Sequence, residues 1–97
     1  MSITMTMVRI DIKKAQTIAK NKGLTEVGFN NCQIYSVEAL RGMSKIRLLC
    51  LANCGLTDIS PLADLTSLEE LYMGYNMVTD FSPLNGLRNL ETAVIDG

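Results

Sequence analysis

The chain repeats itself at an offset of 22 residues, and this limits the folds open to it more than any other feature. Nine positions between residues 46 and 65 recur, with the same kind of side chain at nearly every one, between residues 68 and 87. The template also fits residues 24 to 43. In its last copy it consists of Leu68, Leu71, Met73, Asn76, Val78, Asp80, Pro83, Leu84 and Leu87. Such a period is typical of a repeat protein whose units bury their apolar sides against one another.

Each unit changes from a strand pattern to a turn and then to the start of a helix. Leu71 and Met73 are two residues apart, which is the spacing at which a strand points side chains to one face. Asn76 follows, and its amide can bond backbone groups that a turn leaves unpaired. Asp80 and Pro83 then favour a short α or 3₁₀ helix, because Asp is a good N-cap and Pro fits the first helical turn.

The order of these residues resembles a known repeat family. From residue 68 to residue 87 the chain reads Leu-x-x-Leu-x-Met-x-x-Asn-x-Val-x-Asp-Phe-x-Pro-Leu-x-x-Leu, similar to the short leucine-rich repeat of bacterial internalins and of a phosphatase-1 regulatory subunit. The resemblance covers residues 24–97 and implies an α/β leucine-rich repeat solenoid. A curved parallel β-sheet would form its concave side, and short helical or 3₁₀ turns its convex side. Cys32 and Cys54 depart from the pattern by replacing the usual Asn, and Ala39 by replacing Pro.

We interpret the whole chain as a single leucine-rich repeat domain of residues 1–97. Its parts are an N-terminal cap over 1–23, repeats over 24–45, 46–67 and 68–89, and a partial terminal strand over 90–97. The cap is predicted to contain an edge strand over residues 3–9, which matches the next strand by the same offset of 22 residues. It is also predicted to contain a helix from Asp11 to about Lys22, which Gly23 ends. The outer face of that helix carries a basic patch, interpreted as a solvated face or as a site for nucleic acid or an acidic partner: Lys13, Lys14, Lys20 and Lys22.

The last strand is predicted to be an exposed sheet edge. Leu90, Ala93 and Ile95 repeat the strand pattern, and an edge strand presents unpaired backbone groups that favour pairing with another chain. The predicted self-association edge is Glu91, Thr92, Ala93, Val94 and Ile95. A two-fold dimer is the simplest arrangement, whereas the charge distribution favours head-to-tail contacts, since residues 1–47 carry eight basic and three acidic residues and residues 48–97 one and seven. The alternative is that the sequence is a piece of a longer repeat array.

The outward positions of the concave strands are the best functional lead. Solvent-facing strand positions normally carry polar side chains, yet several here are apolar or aromatic, which is typical of a contact surface. Tyr is also a frequent interaction hot spot. The ordinary alternative is the scatter of single apolar residues found on any protein surface. The predicted protein-binding residues are Leu48, Cys50, Glu70, Tyr72, Tyr75, Thr92 and Val94.

The sequence offers no recognisable tools for catalysis or cofactor binding. It contains no histidine, which removes the usual general base and the commonest zinc ligand. It also lacks the glycine-rich loops that hold nucleotide phosphates. Cys32 and Cys54 occupy the same inward slot, where structural packing is favoured over a disulfide or metal site. We therefore expect no catalytic residue, no cofactor and no metal site.

These observations favour a non-enzymatic protein-interaction module, such as an adaptor, regulator or inhibitor, that binds a protein of unknown identity through the concave sheet. The alternative is a structural element that assembles with itself through the C-terminal edge. The net charge of −1 favours neither nucleic acid nor a membrane surface as partner. Because the chain shows no signal-peptide pattern and an odd number of cysteines, we expect a cytoplasmic protein.

Overall fold

Five parallel strands form one sheet whose order follows the sequence. The computed structural model describes residues 2–6, 23–30 and 36–95. The strands pair as neighbours in the order β1-β2-β3-β4-β5, which is the topology of a solenoid. Their bounds are Ser2–Thr6 (β1), Glu26–Asn30 (β2), Leu48–Cys50 (β3), Glu70–Tyr72 (β4) and Thr92–Val94 (β5). The predicted leucine-rich repeat solenoid is confirmed.

Short 3₁₀ helices form the return path on the other side of the coil. They span Glu38–Leu40, Ser60–Asp64 and Ser82–Leu84. The second and third helices each begin with a backbone N–H that donates a hydrogen bond to the side chain of an Asp two residues earlier. The N–H of Ser60 donates to Oδ1 of Asp58 at 2.9 Å, and that of Ser82 to Oδ1 of Asp80 at 3.0 Å. These side chains form Asx turns that set the direction in which the chain enters each helix.

The repeat period appears directly in the strand register. Leu48 lies beside Glu70, and Glu70 beside Thr92, so equivalent residues 22 positions apart are neighbours across the sheet. The first pair differs, since Ser2 lies beside Glu26 with an offset of 24. The prediction of a 22-residue offset for the first strand was therefore wrong by two residues, because the first connection is two residues longer. A shift of two preserves the alternation of faces along a strand.

The core consists of the inward positions of successive coils. The four aliphatic side chains that the repeat places inside β3 and β4 or just after them are at most 1 % exposed: Leu49, Leu51, Leu71 and Met73. Each fully buried side chain of this kind stabilises the fold by about 1.5–3 kcal/mol. This burial confirms the predicted stacking of the repeats.

Asn76 ties its own turn to the preceding coil. Its Nδ2 donates hydrogen bonds to the carbonyls of Leu51 at 2.8 Å and Met73 at 2.9 Å, and its Oδ1 accepts from the N–H groups of Cys54 at 2.9 Å and Leu56 at 3.0 Å. These bonds pair backbone groups at the strand exits, where the sheet ladder stops.

Cys54 occupies the equivalent slot one coil earlier and is fully buried. Its thiol donates to the carbonyl of Phe29, which lies 25 residues before it. Leu51, the acceptor of the Asn76 amide, also lies 25 residues before its donor. The cysteine therefore keeps one of the hydrogen bonds that an asparagine makes in this slot.

Several predictions concern residues outside the described ranges. They include the helical part of the N-terminal cap, its lysine patch and Cys32. Among the described residues, no helix is long and apolar enough to cross a lipid bilayer.

Candidate protein-interaction surface

Along β3 and β4 the central side chain points into the core, and the side chains before and after it point outward. Leu49 and Leu71, at the centres of these strands, are completely buried, whereas the residues on either side of each are partly exposed. We call the outward positions of β2–β5 the concave face. Its members are Glu26, Gly28, Leu48, Cys50, Glu70, Tyr72, Thr92 and Val94.

The register arranges the concave face in two rows that run across the strands. The first row follows the strand starts, and its members are Glu26, Leu48, Glu70 and Thr92. The second row is formed by Gly28, Cys50, Tyr72 and Val94. Neighbouring members of a row lie on strands about 4.8 Å apart. Six of the seven predicted binding residues therefore belong to one continuous surface.

Tyr72 is held in place by a neighbour on its own strand. Its hydroxyl donates a hydrogen bond to Oε1 of Glu70 at 2.7 Å. This bond to a carboxylate raises the pKa of the Tyr72 hydroxyl above its usual value, because it favours the protonated phenol. The ring is thus oriented before any partner arrives.

Cys50 lies at the centre of the concave face as a partly exposed free thiol. Its partial burial, and then the nearby carboxylates of Glu70 and Glu26, raise its pKa above the usual value. Because the thiolate is the reactive form, this environment makes Cys50 a poor nucleophile at neutral pH. The residue contributes contact area to the surface and offers little chemistry.

A shallow depression of about 120 Å³ lies where β2, β3 and β4 begin. Its lining residues are Thr25, Glu26, Arg47, Leu48, Glu69 and Glu70. Arg47 bonds Glu69 through Nε and Oε2 at 3.0 Å and through Nη2 and Oε1 at 3.4 Å. This pair crosses from one repeat to the next and offsets one of the three carboxylates that line the depression.

Tyr75 stands apart from the rows, at the exit of β4. Its side chain is 70 % exposed and its backbone has a left-handed φ of 62°. Met77, which the sequence analysis did not single out, is 76 % exposed two residues later. The signal for Met77 is that it falls between the template positions Asn76 and Val78 and so has no inward slot. These two side chains add exposed apolar area just beyond the C-terminal end of β4.

The residues predicted to form the self-association edge are all exposed, including every residue of β5. Val94 is 43 % and Ile95 38 % exposed. Ala93 occupies the slot that is buried at Leu71, yet it is open because no further coil packs on it within the described residues. Burial of an inward position in a solenoid depends on a neighbouring coil.

The concave face offers contact area for a partner. Within the described ranges, no three Cys, Asp or Glu side chains converge as a metal site would require. Buried side-chain oxygens and nitrogens in the same ranges all have hydrogen-bond partners. What remains is an ordered, half-apolar face with carboxylates at one side.

Comparisons with known proteins agree with this architecture. Residues 44–86 match the family model described as Leucine Rich repeats (2 copies). The crystal structure of an internalin C2 from Listeria monocytogenes superposes with a TM-score of 0.73 at 38 % identity, over 74 % of this chain and 32 % of that one. A second internalin from that species, inlF, gives a TM-score of 0.62 at 22 % identity, over 80 % of this chain and 30 % of that one.

The chain thus spans about a third of the length of these two internalins. A comparison with curated protein sequences gives no match.

Proposed function

We propose that this chain, a short leucine-rich repeat protein that resembles the internalin class, is a non-enzymatic module that binds a protein partner through its concave face. Leucine-rich repeat domains generally mediate protein–protein interaction, and their curved sheets provide extended binding surfaces. An adaptor, regulator or inhibitor role is compatible with such a surface. We also propose that the protein works in the cytoplasm, because an odd number of cysteines suits a reducing compartment better than a disulfide scaffold.

The observation that carries the proposal is the apolar centre of the concave face. Leu48, Cys50 and Tyr72 point away from the core and are partly exposed, although strand positions facing water are normally polar. Interfaces are enriched in Tyr and depleted of charge at their centres. A tyrosine already oriented by Glu70 loses little side-chain freedom on binding, which lowers the entropic cost of association.

The test is to capture partners with the wild-type protein and with a Tyr72→Asp variant. The variant places a charge at the centre of the concave face while leaving the buried core unchanged. Ser44→Asp is the matched control, because Ser44 is exposed outside the strands and the change in charge is the same. We expect a protein captured by the wild type and by the control to be lost with Tyr72→Asp, at equal melting temperatures.

A captured protein is then purified and its affinity measured against all three forms. Loss of a hot-spot side chain costs about 2 kcal/mol or more, so if Tyr72 is such an anchor the dissociation constant of Tyr72→Asp rises about thirtyfold or more. Equal affinity of Tyr72→Asp and the wild type would show that the partner binds elsewhere.

The second candidate is a structural element that assembles with itself through the C-terminal edge. It is supported by the exposure of Val94 and Ile95 and by the open slot at Ala93. An exposed edge strand is a ready template for pairing with another chain. Its test is the oligomeric state of the protein as its concentration is raised.

A further inference from the structure

We propose that the partner segment seated on the concave face is an extended cationic peptide whose Lys or Arg side chains lie over Leu48, between Glu26 and Glu70. This rests on the proposed function, because it names the chemistry of the partner at the same surface.

The charges of the concave face have one sign. Glu26 and Glu70 are its two ionisable carboxylates, and no outward position of β2–β5 carries Lys or Arg. Arg47 is the nearby cation that lines the depression, and it is engaged by Glu69. One cation against three carboxylates leaves the depression with a net negative charge. Complementary potentials of this kind select partners and guide them to the surface.

The negative field reaches the apolar centre of the face. Glu70 and Glu26 both contribute to raising the pKa of the Cys50 thiol, which lies one row further along β3. A bound cation would therefore be attracted over the apolar side chains as well as at the edge. An anionic segment would meet repulsion along the same path.

The distance between Glu26 and Glu70 suits a peptide with one cationic side chain between them or with two, one for each carboxylate. Glu26 and Glu70 flank Leu48 on adjacent strands, so their backbones are about 10 Å apart. The aliphatic stem of a Lys or Arg can lie on Leu48 while its charged head reaches a carboxylate. In an extended polyproline II conformation, residues three apart lie about 9 Å from each other on one side, which also fits the row.

The carboxylates of Glu70 and Glu26 lie on either side of Leu48, where each can pair with a bound cation. Glu70 uses Oε1 to accept from Tyr72, and that bond orients the carboxylate beside Leu48. Glu26 is exposed at the other side of Leu48. The depression between them is open to solvent, so a long side chain enters it without displacing the core. The ring of Tyr72 adds a surface over which a second cation is favoured.

The test uses a peptide of sequence acetyl-Ala-Arg-Leu-Ala-Arg-Ala-amide and two matched peptides with both arginines replaced by Gln or by Glu. Binding is followed through the NMR signals of the Leu48 methyl groups, with those of buried Leu62 in the second 3₁₀ helix as the internal control. We expect the Arg peptide to shift the Leu48 signals and to bind about two- to thirtyfold more tightly than the Gln peptide. The Glu peptide should bind most weakly.

Three protein variants locate the effect. Glu26→Gln and Glu70→Gln should each weaken binding of the Arg peptide about two- to fivefold. In Glu70→Gln the amide oxygen can still accept the hydrogen bond from Tyr72. Glu38→Gln removes a carboxylate from the convex side and should leave the affinity unchanged. The affinity for the Arg peptide should also fall as the salt concentration rises from about 0.01 M to about 1 M, since the screening length falls from about 30 Å to about 3 Å.

Several results would overturn the inference. They are equal binding of the Gln or Glu peptide, no shift at Leu48, or an equal loss in Glu38→Gln and the two concave variants. A captured partner that is lost with Tyr72→Asp but binds Glu26→Gln and Glu70→Gln as tightly as the wild type would leave the proposed function standing and exclude the cationic segment. A partner insensitive to Tyr72→Asp would instead overturn the proposed function.

Discussion

Tyr75 adopts a backbone conformation that its residue type disfavours. Its φ of 62° lies in the left-handed region, where the Cβ of a bulky residue crowds the following carbonyl. Asn53 holds the equivalent place one repeat earlier with φ 54°, and Asn is one of the residues that tolerate this region. The position is therefore set by the repeat geometry, and Tyr75 occupies it at a cost in stability.

We predict that Tyr75→Asn increases the free energy of unfolding by about 1 kcal/mol, because the strain is relieved and the exposed ring loses few contacts. Urea denaturation measures the change. Tyr75→Phe keeps the strain and is the control, with an unchanged midpoint. A lower midpoint for Tyr75→Asn would mean that the ring stabilises the turn by packing. A loss of partner affinity in the more stable variant would identify Tyr75 as a binding residue.

The Asx turns make the stability of the 3₁₀ helices depend on pH. The carboxylates of Asp58 and Asp80 accept hydrogen bonds from the backbone N–H groups of Ser60 and Ser82, and these bonds lower the pKa of both carboxyls. A carboxyl whose pKa is lower in the folded state stabilises the fold above its unfolded pKa of about 3.9. That contribution is lost as the pH falls through the folded pKa.

We predict that the wild type loses more stability between about pH 5 and about pH 2 than the double variant Asp58→Asn, Asp80→Asn, because Asn still accepts the bond and does not titrate. Melting temperatures across this range measure the difference. Glu38, whose pKa is lowered by its bond to Arg41, is present in both proteins and cancels in the comparison. Parallel curves for the two proteins would show that the Asx turns are not coupled to protonation.

The 22-residue repeat predicts the parts of the fold that recur with it. The template located the inward rows of β3 and β4 and the 3₁₀ helices that begin near Pro61 and Pro83, because burial and turn chemistry recur with the period. It placed the first strand two residues out of register, since a longer connection leaves no mark in the spacing of apolar residues.

The candidate site was predictable only in part. Alternation along a strand identifies Leu48 and Tyr72 as outward residues without reference to any partner. The Tyr72 to Glu70 hydrogen bond and the left-handed backbone of Tyr75 follow from side-chain rotamers and loop geometry, which the apolar pattern does not contain. Ala93 was assigned to an inward slot, and its exposure depends on whether another coil follows.

The sheet has an exposed strand, β5, at its C-terminal edge. Within the described residues, β5 has a hydrogen-bonded neighbour on one side alone, which is β4. Ile95 follows it and is 38 % exposed at the open end of the core. Unpaired backbone groups next to exposed apolar side chains favour association.

We predict that light scattering gives a mean mass that rises above the 10.7 kDa of one chain as the concentration increases. Ile95→Lys is expected to remain monomeric at the same concentrations, because a charge at the open end blunts the edge. Val94→Thr, which keeps the size and shape of the side chain, serves as the milder comparison. A wild-type protein that stays at the mass of one chain throughout would exclude self-assembly.

The constant offset between β2 and β5 has a consequence for how such a chain can change in length. Because equivalent residues are always 22 positions apart, duplicating or excising residues 46–67 joins two ends that already have matching neighbours. A gene rearrangement of 66 base pairs, which is three for each of those residues, would lengthen or shorten the concave face by one strand without any change in the other repeats. The first coil, whose strand pairs at an offset of 24, cannot be exchanged in this way.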